Sequence, residues 1–341
     1  MSERPGRRVV VPHRSRCLAG NPLGDPAERG IEVLLPPGYR EEDRYPVVLW
    51  LPGFGASPTL TNRPLAVTDS PADRIHAAMA RGEAPRALVA VVDGTTAYGG
   101  SQYLDSAASG RYQEYLGEVV AEVDRRFPTL AEPRFRAVGG KSSGGYGALL
   151  AGMETELFGS VLAHTPDAGF EHCYLPLLPG VLDTLGAVGG VAGLMEQGRT
   201  GPHDGRFMVA LSLVAMGMCY ADTPGVCPED ALPCDPRTGL FRPEVWERWL
   251  RRDPVRLAPR HADRLRGLDL LHLETGRRDE YGMHWGVRAL HATLETLGVP
   301  HEYREHDGGH AGIEHRFLTS FALLGRHWPA SLRSEPAAAV R

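Results

Sequence analysis

A serine flanked by glycines is the strongest candidate for chemistry in the chain. Residues 139 to 150 read GGKSSGGYGALL, and Gly140, Ser142 and Gly144 form the pattern GxSxG. In this pattern the serine occupies a strained turn between a strand and a helix, where the glycines let neighbouring backbone approach without a Cβ clash. A register centred on Ser143 would place a lysine at the glycine position. The spacing therefore predicts Ser142 as a nucleophile.

A carboxylate and a histidine follow the serine in the order that such chemistry requires. A serine hydroxyl is a weak nucleophile at neutral pH, so it needs a base, which in turn needs an orienting carboxylate. Asp279 and Glu280 come after the apolar run LDLLHLETG, and His310 lies in the glycine-rich stretch DGGHAG. Where a serine occupies such a turn, the chain order is serine, acid, histidine. The sequence predicts Asp279 as the acid and His310 as the base.

Each of these two assignments has a competitor nearby. His306 and His315 flank His310, and any one of 14 histidines is more often a surface or hydrogen-bonded core residue. Position after the last strand, between flexible glycines, favours His310. Glu280 adjoins Asp279, and a carboxylate after two arginines is often only a solvated loop charge. Glu280 therefore remains the second candidate for the acid.

Backbone N–H groups are needed where negative charge develops on a substrate carbonyl oxygen. The residue after the nucleophile, Ser143, supplies one donor, and the loop after an earlier strand supplies the other. That loop reads LWLPGFG, in which Phe54 is the predicted donor. A plain tight turn is the alternative interpretation of this loop.

Short apolar runs alternate with helical patterns along the chain. The runs are IEVLL, VVLWL, ALVAVV, FRAV, SVLAH and LDLLHL, and the clearest helical stripe extends from Tyr112 to Phe127 before Pro128. Continuous rather than alternating apolar runs are typical of parallel strands covered on both faces. The pattern predicts an α/β fold, a doubly wound and mostly parallel sheet with helices on both faces. Ligands of such sheets bind outside the carboxyl ends of the strands.

The alternation breaks between residues 168 and 260, a Gly- and Pro-rich stretch with helical patches. This stretch is too long for a loop, so we expect a cap-like insertion that roofs the pocket over the strand ends. Its aromatic residues fit a pocket wall, although core packing is their commoner fate. Those residues are Phe170, Tyr174, Trp246 and Trp249.

The predicted organisation has four parts. They are an N-terminal extension over 1–29, a core over 30–167 and 261–328, the insertion over 168–260 and a flexible tail over 329–341. The apolar run Val9 to Val11 is too short for a signal peptide, and no run approaches the length that spans a bilayer. We expect a cytoplasmic protein with no membrane association.

Charge and cysteine content argue against several classes of partner. The net charge of −5 and the pI near 6.3 provide no basic patch for nucleic acid. Five cysteines are an odd and small number for a disulfide framework. Cys219, Cys227 and Cys234 lie near one another, but their spacing matches no tetrahedral zinc site. We expect neither a disulfide framework nor a structural metal, and a homodimer remains open.

Several segments together resemble the esterase branch of the α/β-hydrolases. That branch includes S-formylglutathione hydrolases, enterochelin esterases, feruloyl esterases and the antigen 85 mycolyltransferases. The resemblance covers roughly residues 30 to 325 and is carried by YPVVLWLPGFG, YGGSQYLDSAASGRYQEYL, GGKSSGGYGAL, GRRDEYGMHWG and HDGGH. It implies the α/β-hydrolase fold, no cofactor, and a small-molecule ester as substrate. By this likeness Ser142 is the nucleophile, Asp279 the acid and His310 the base, with Phe54 and Ser143 as oxyanion donors.

Two features depart from what the resemblance implies. Many members carry His-Gly in the oxyanion loop, whereas this chain has Pro52-Gly53, which raises the question of how the loop is braced. Lys141, beside the nucleophile, is the only lysine in the chain. We interpret it as half of a buried ion pair that orients the turn, with a direct catalytic role as the alternative.

Three functions fit these residues. The leading hypothesis is hydrolysis of a carboxylic ester or thioester through an acyl-enzyme on Ser142. The same acyl-enzyme could instead pass its acyl group to an alcohol or amine, because the difference lies in water exclusion and acceptor binding. A non-catalytic binding protein on the same scaffold would be expected to lack a triad residue, and none is lacking here.

Overall fold

A mixed sheet of eight strands forms the centre of the fold. The computed structural model describes residues 6–62, 68–329 and 332. The strands are β1 (Arg7–Arg14), β2 (Glu28–Leu35), β3 (Val47–Leu51), β4 (Leu88–Val91), β5 (Arg136–Lys141), β6 (Ser160–His164), β7 (Leu270–Gly276) and β8 (Glu302–His306). Their order across the sheet is β1-β2-β4-β3-β5-β6-β7-β8. β2 pairs antiparallel with β1 and β4, and the remaining neighbours are parallel. The predicted mostly parallel α/β fold is confirmed.

Helices cover both faces of this sheet. They are α1 (Pro71–Ala80), α2 (Tyr112–Arg126), α3 (Ser143–Glu154), α4 (Phe170–Cys173), α5 (Leu178–Val188), α6 (Val191–Thr200), α7 (Gly205–Tyr220), α8 (Pro243–Leu250), α9 (Pro254–Leu257), α10 (Ala262–Arg266), α11 (Met283–Thr296) and α12 (Phe317–His327). A two-stranded ribbon, Asp105–Ser106 with Gly110–Arg111, precedes α2. Short 3-10 turns occupy Pro133–Phe135, Leu175–Leu177, Pro228–Ala231, Ala258–His261 and Glu314–Arg316.

Burial explains which strands the sequence could predict. Every residue of β3, β6 and β7 is buried, as continuous apolar runs between two helical layers should be. β1, by contrast, lies at the sheet edge in the segment that the sequence analysis assigned to an N-terminal extension. Only Val11 of its eight residues is buried, and the run Val9 to Val11 is too short to predict a strand covered on both faces.

Two apolar clusters fill the layers on either side of the sheet. The smaller cluster packs α1 and α12 against Val48, Trp50 and Ala137. The larger packs α2, α3 and α11 against the opposite face, including Leu49 and Leu51. The helix predicted from the Tyr112 stripe is confirmed, and it ends at the residue before Phe127.

The segment between β6 and β7 contains α4 to α10 and shares the larger apolar cluster with the sheet. Phe170 and Trp249 are fully buried there, and Trp246 is nearly so. The ring of Tyr174 packs against those of Phe170 and Trp249. These aromatic side chains therefore join the core, and Tyr174 also lines a cavity.

No single helix among the described residues is long and apolar enough to cross a membrane. One bent pair, Phe170–Val188 with Val191–Thr200 at 75°, meets the requirement by length and composition alone.

Candidate active site

The turn between β5 and α3 presents Ser142 at the carboxyl end of the sheet. Ser142 has φ 56° and ψ −125°, a conformation that non-glycine residues rarely adopt. A Cβ on Gly140 or Gly144 would lie 2.3 Å or 1.8 Å from the carbonyl oxygen of Leu51. The backbone N–H of Ser142 donates to the carbonyl of His164, 2.9 Å away on β6. The steric reason for the GxSxG pattern is therefore visible in this chain, because the turn presses against β3.

Two loops at the ends of β7 and β8 bring His310 and its carboxylates together. His310 Nδ1 lies 2.8 Å from Asp279 Oδ2, and the Asp279 side chain has 0% exposure. Asp279 Oδ1 also accepts from the backbone N–H of Tyr281 at 3.0 Å. Glu280 Oε2 instead accepts from the backbone N–H of His310 at 2.8 Å. One carboxylate therefore contacts the imidazole, and the other holds the main chain that carries it.

A cavity of about 560 Å³ opens at the carboxyl ends of the strands, and both Ser142 and His310 line it. Its wall from the segment between β6 and β7 is mainly apolar and consists of Asp167, Tyr174, Leu177, Met208, Val209, Ser212, Leu213 and Met216. Asp279 is not among the lining residues, because it lies behind the imidazole. A small molecule in this cavity can therefore contact both Ser142 and His310.

The loop after β3 lies against the nucleophile turn. A Cβ on Gly53 would lie 3.1 Å from the carbonyl oxygen of Lys141 and 3.6 Å from the Cβ of Ser142. Phe54 lines the same cavity. Ser143 is the first residue of α3, and an N–H in the first turn of a helix has no intrahelical partner. Ser143 therefore adjoins Ser142 along the chain, and Phe54 follows the glycine that packs against Ser142.

Tyr103 braces the loop that carries Pro52 and Gly53. Its hydroxyl donates to the carbonyl of Pro52 at 2.9 Å. The Phe54 ring packs over Gly99 and Gly100, where a Cβ at either position would lie 3.0 Å from the ring. The hydrogen bond from Tyr103 and the packing of the Phe54 ring therefore hold the loop, which has Pro52 where many members of the resembling family carry histidine.

A buried polar network beside the cavity was not predicted from the sequence. Gln102 Nε2 donates to Asp167 Oδ2 at 2.8 Å and to the Tyr220 hydroxyl at 2.9 Å, and the Tyr174 hydroxyl donates to Asp167 Oδ2 at 2.8 Å. Asp167 lines the cavity, and burial raises the pKa of its carboxyl group. Asp167 follows β6, so its position at a strand's carboxyl end was a usable signal.

A second buried polar cluster lies under α12, at the ends of β6 and β7. His272 Nε2 and His164 Nδ1 lie 3.2 Å and 3.7 Å from Glu274 Oε2. Burial, together with the neighbouring His272, lowers the pKa of His164 to about 3. Burial alone would raise the pKa of Glu274, but hydrogen bonding from His272 and nearby positive charge lower it to about 2.

The same cluster offers the donor set most suited to a metal ion among the described residues. Three ligand atoms of His164, His272 and Glu274 lie within 4.8 Å of one another. The guanidinium of Arg316 already binds the Glu274 carboxylate, however. The charge of Glu274 is therefore neutralised by a protein side chain, and this contact ties the turn before α12 to the sheet.

Lys141 is placed differently from the sequence interpretation. No carboxylate oxygen of the described residues lies within 4.0 Å of its ammonium group, so the predicted ion pair is wrong. Lys141 is half-buried and lines the cavity beside Ser142. Burial lowers the pKa of the ammonium group, while the charge of Glu314 opposes that effect.

Solved structures with the same fold include several esterases. A ferulic acid esterase matches with TM-score 0.58 and 16% identity, covering 95% of this chain and 99% of that protein. Fluorophosphonate-binding serine hydrolase F of Staphylococcus aureus matches with TM-score 0.57 and 14% identity, covering 94% and 98%. An S-formylglutathione hydrolase from Agrobacterium tumefaciens matches with TM-score 0.53 and 16% identity, covering 96% of each chain. At these identities the likeness shows the fold alone.

Sequence comparison identifies the family of the chain, which the structural matches do not. None of the curated proteins matches it in sequence. The model of the family described as "Putative esterase" matches residues 26–317, which is most of the chain and contains all five predicted site residues. The chain therefore belongs to the Putative esterase family.

Proposed function

We propose that this protein is a serine hydrolase that cleaves a carboxylic ester or thioester of a small molecule through an acyl-enzyme. The observation that carries the proposal is the position of His310, which is hydrogen-bonded to Asp279 at 2.8 Å and shares a cavity with Ser142. Membership of the esterase family supports the reaction class.

The proposed reaction begins with attack of Ser142 Oγ on the substrate carbonyl carbon. His310 Nε2 accepts the hydroxyl proton, and Asp279 keeps the other ring nitrogen protonated and the ring oriented. The backbone N–H groups of Phe54 and Ser143 stabilise the oxyanion. Collapse of the tetrahedral intermediate expels the alcohol or thiol, which takes the proton from His310. Water then attacks the acyl-enzyme by the same steps, releasing the acid and restoring Ser142.

The strained turn supports the choice of Ser142 over its neighbour. A positive φ costs free energy and persists only where the surrounding structure enforces it, and such residues cluster at functional sites. Ser143, by contrast, is buried within the first turn of α3, and its hydroxyl has no hydrogen-bond partner among the described residues.

Labelling with a fluorophosphonate probe followed by mass spectrometry tests this proposal. We expect one adduct, on Ser142, and its loss in Ser142→Ala. Ser143→Ala is the matched control, since it keeps the backbone N–H and should still be labelled. An adduct on Ser143, or labelling that survives Ser142→Ala, would contradict the assignment. Absence of any adduct would contradict the serine mechanism itself.

A further inference from the structure

The side chain of Lys141 lies on a different side of the cavity from the insertion. Alternate residues of a strand share a face, and Ala137 of β5 packs in the cluster with α1 and α12. Gly139, between them, faces Trp50 of that same cluster, since a Cβ there would lie 3.2 Å from the Trp50 ring. Lys141 therefore points toward the α12 side, whereas α7 supplies the opposite apolar wall.

Three carboxylates interact electrostatically with the ammonium group of Lys141, namely those of Glu314, Asp279 and Glu280. The Asp279 carboxylate is hydrogen-bonded to the imidazole of His310, and the Glu280 carboxylate accepts a hydrogen bond from the backbone N–H of His310. Glu314 lines the cavity but makes no ion pair with another described residue. A partly buried ammonium group gains from an ionic partner, and Lys141 has no such partner among the described residues, so it can bind an anion that enters the cavity.

We propose that Lys141 binds a carboxylate group of the substrate, so that the enzyme prefers esters bearing a carboxylate a few bonds from the scissile carbonyl. This inference rests on the proposed esterase function. Lys141 directly precedes Ser142, and both residues line the same cavity. An anion held by the ammonium group would therefore occupy the cavity that also holds the reacting carbonyl.

Other charged groups on the same wall set the limits of this preference. Arg74 adds a second cation, while Asp69 and Glu314 add negative charge, and none of the three pairs with another described residue. The wall as a whole is therefore not positive, and the proposed preference depends on the position of Lys141 beside Ser142. Glu314 should repel a carboxylate that approaches Lys141.

Two pairs of matched esters test the proposal. 4-Nitrophenyl hemiglutarate and 4-nitrophenyl pentanoate differ by a carboxylate on the acyl side. 4-Acetoxybenzoate and 4-methylphenyl acetate differ by one on the leaving group. For each pair the ratio of kcat/KM, anionic over neutral, is compared between wild type and Lys141→Met, which cancels intrinsic reactivity. We expect the ratio to fall at least about tenfold for one pair, as loss of a charge-assisted hydrogen bond implies.

Two further variants distinguish local binding from a general effect of charge. Arg125→Met removes one positive charge from the exposed face of α2 and should leave both ratios unchanged. Glu314→Gln should raise the ratio that Lys141→Met lowers. Lys141→Arg keeps the charge and should retain more of the preference than Lys141→Met does.

The outcomes separate this proposal from the function on which it rests. If neutral esters are cleaved but neither ratio changes in Lys141→Met, carboxylate binding by Lys141 is excluded while the esterase function stands. If no ester is cleaved, the proposed function fails and this inference fails with it. A binding measurement that needs no turnover completes the test. Glutarate should bind Ser142→Ala by calorimetry at least about tenfold more tightly than Ser142→Ala with Lys141→Met.

Discussion

Two neighbouring carboxylates divide the support of His310 between them. Asp279, with no exposed side-chain surface, contacts the imidazole, whereas Glu280 contacts the backbone N–H of the same histidine. A carboxylate on a ring nitrogen selects the tautomer, and one on the main chain can only position the loop. The two acids should therefore differ in their effect on turnover more than in their effect on stability.

Replacing each acid by its amide tests this difference. We expect Asp279→Asn to lose at least about 100-fold in kcat, because an amide can favour the wrong histidine tautomer, a change that costs about 10⁴-fold in a serine protease. Glu280→Gln should lose less than about tenfold, since its amide oxygen can still accept from the His310 N–H. Rates on one activated ester, with melting temperatures, provide the measurement. A reversed ranking would move the acid role to Glu280.

At the scale of secondary structure, the contact between β3 and the β5–α3 turn determines where the serine lies. The backbone of α3 approaches β3 so closely that Gly144 leaves no room for a side chain. The loop after β3 is held in turn by Tyr103 and by the Phe54 ring packed over two glycines. These contacts place the predicted oxyanion donors and the nucleophile on one rigid support.

Adding one methyl group at this contact should strongly destabilise the protein. Gly144→Ala would place a Cβ 1.8 Å from the Leu51 carbonyl oxygen, so β3 or α3 must move. We expect a loss of more than about 2 kcal/mol in stability together with most of the activity. Gly186→Ala in α5 is the matched control, because nothing lies within 4 Å of its Cβ position. There the helix preference for alanine should stabilise by about 0.5–1 kcal/mol.

Thermal unfolding of the two variants and of the wild type supplies the comparison. The expectation fails if both glycine substitutions shift the melting temperature equally.

Over the whole molecule, buried charge at the junction of sheet and C-terminal helix couples stability to pH. His164, His272, Glu274 and Arg316 join β6, β7 and the turn that precedes α12. The folded pKa of His164 is about 3 against 6.5 in an unfolded chain, so between these values the unfolded state binds more protons. The stability contributed by neutral His164 is therefore lost as the pH falls below about 6.5. Glu274, with its pKa near 2 instead of 4.5, adds a further loss below about 4.5.

Unfolding measured between pH 7 and pH 5 should reveal the histidine contribution. Each such proton changes the slope of stability against pH by at most about 1.4 kcal/mol per pH unit. We expect His164→Gln to have a shallower slope than the wild type, even if it is less stable throughout. His327→Gln, at the exposed end of α12, should keep the wild-type slope. Equal slopes for all three proteins would rule out His164 as a source of the acid sensitivity.

Local chemistry along the chain was sufficient to predict the buried strands of the sheet and the nucleophile turn. Buried parallel strands need continuous apolar runs, and a strained turn needs glycines on both sides of the serine, so both leave a signal within a few residues. The order of Ser142, Asp279 and His310 follows the order of the strands that carry them. Their catalytic roles stay predictions, although the chain does place Asp279 against His310.

Only the tertiary structure decided which groups meet across long stretches of chain. The distinct contacts of Asp279 and Glu280, the brace from Tyr103 to Pro52 and the pairing of Gln102 with Asp167 all join separate loops. β1 escaped prediction because an edge strand with one buried residue carries little periodic signal. The absence of an ion pair at Lys141, within the described part of the chain, depends on distances that no local pattern encodes. Contacts of this kind are set by how the strands pack, and neighbouring residue types do not specify that packing.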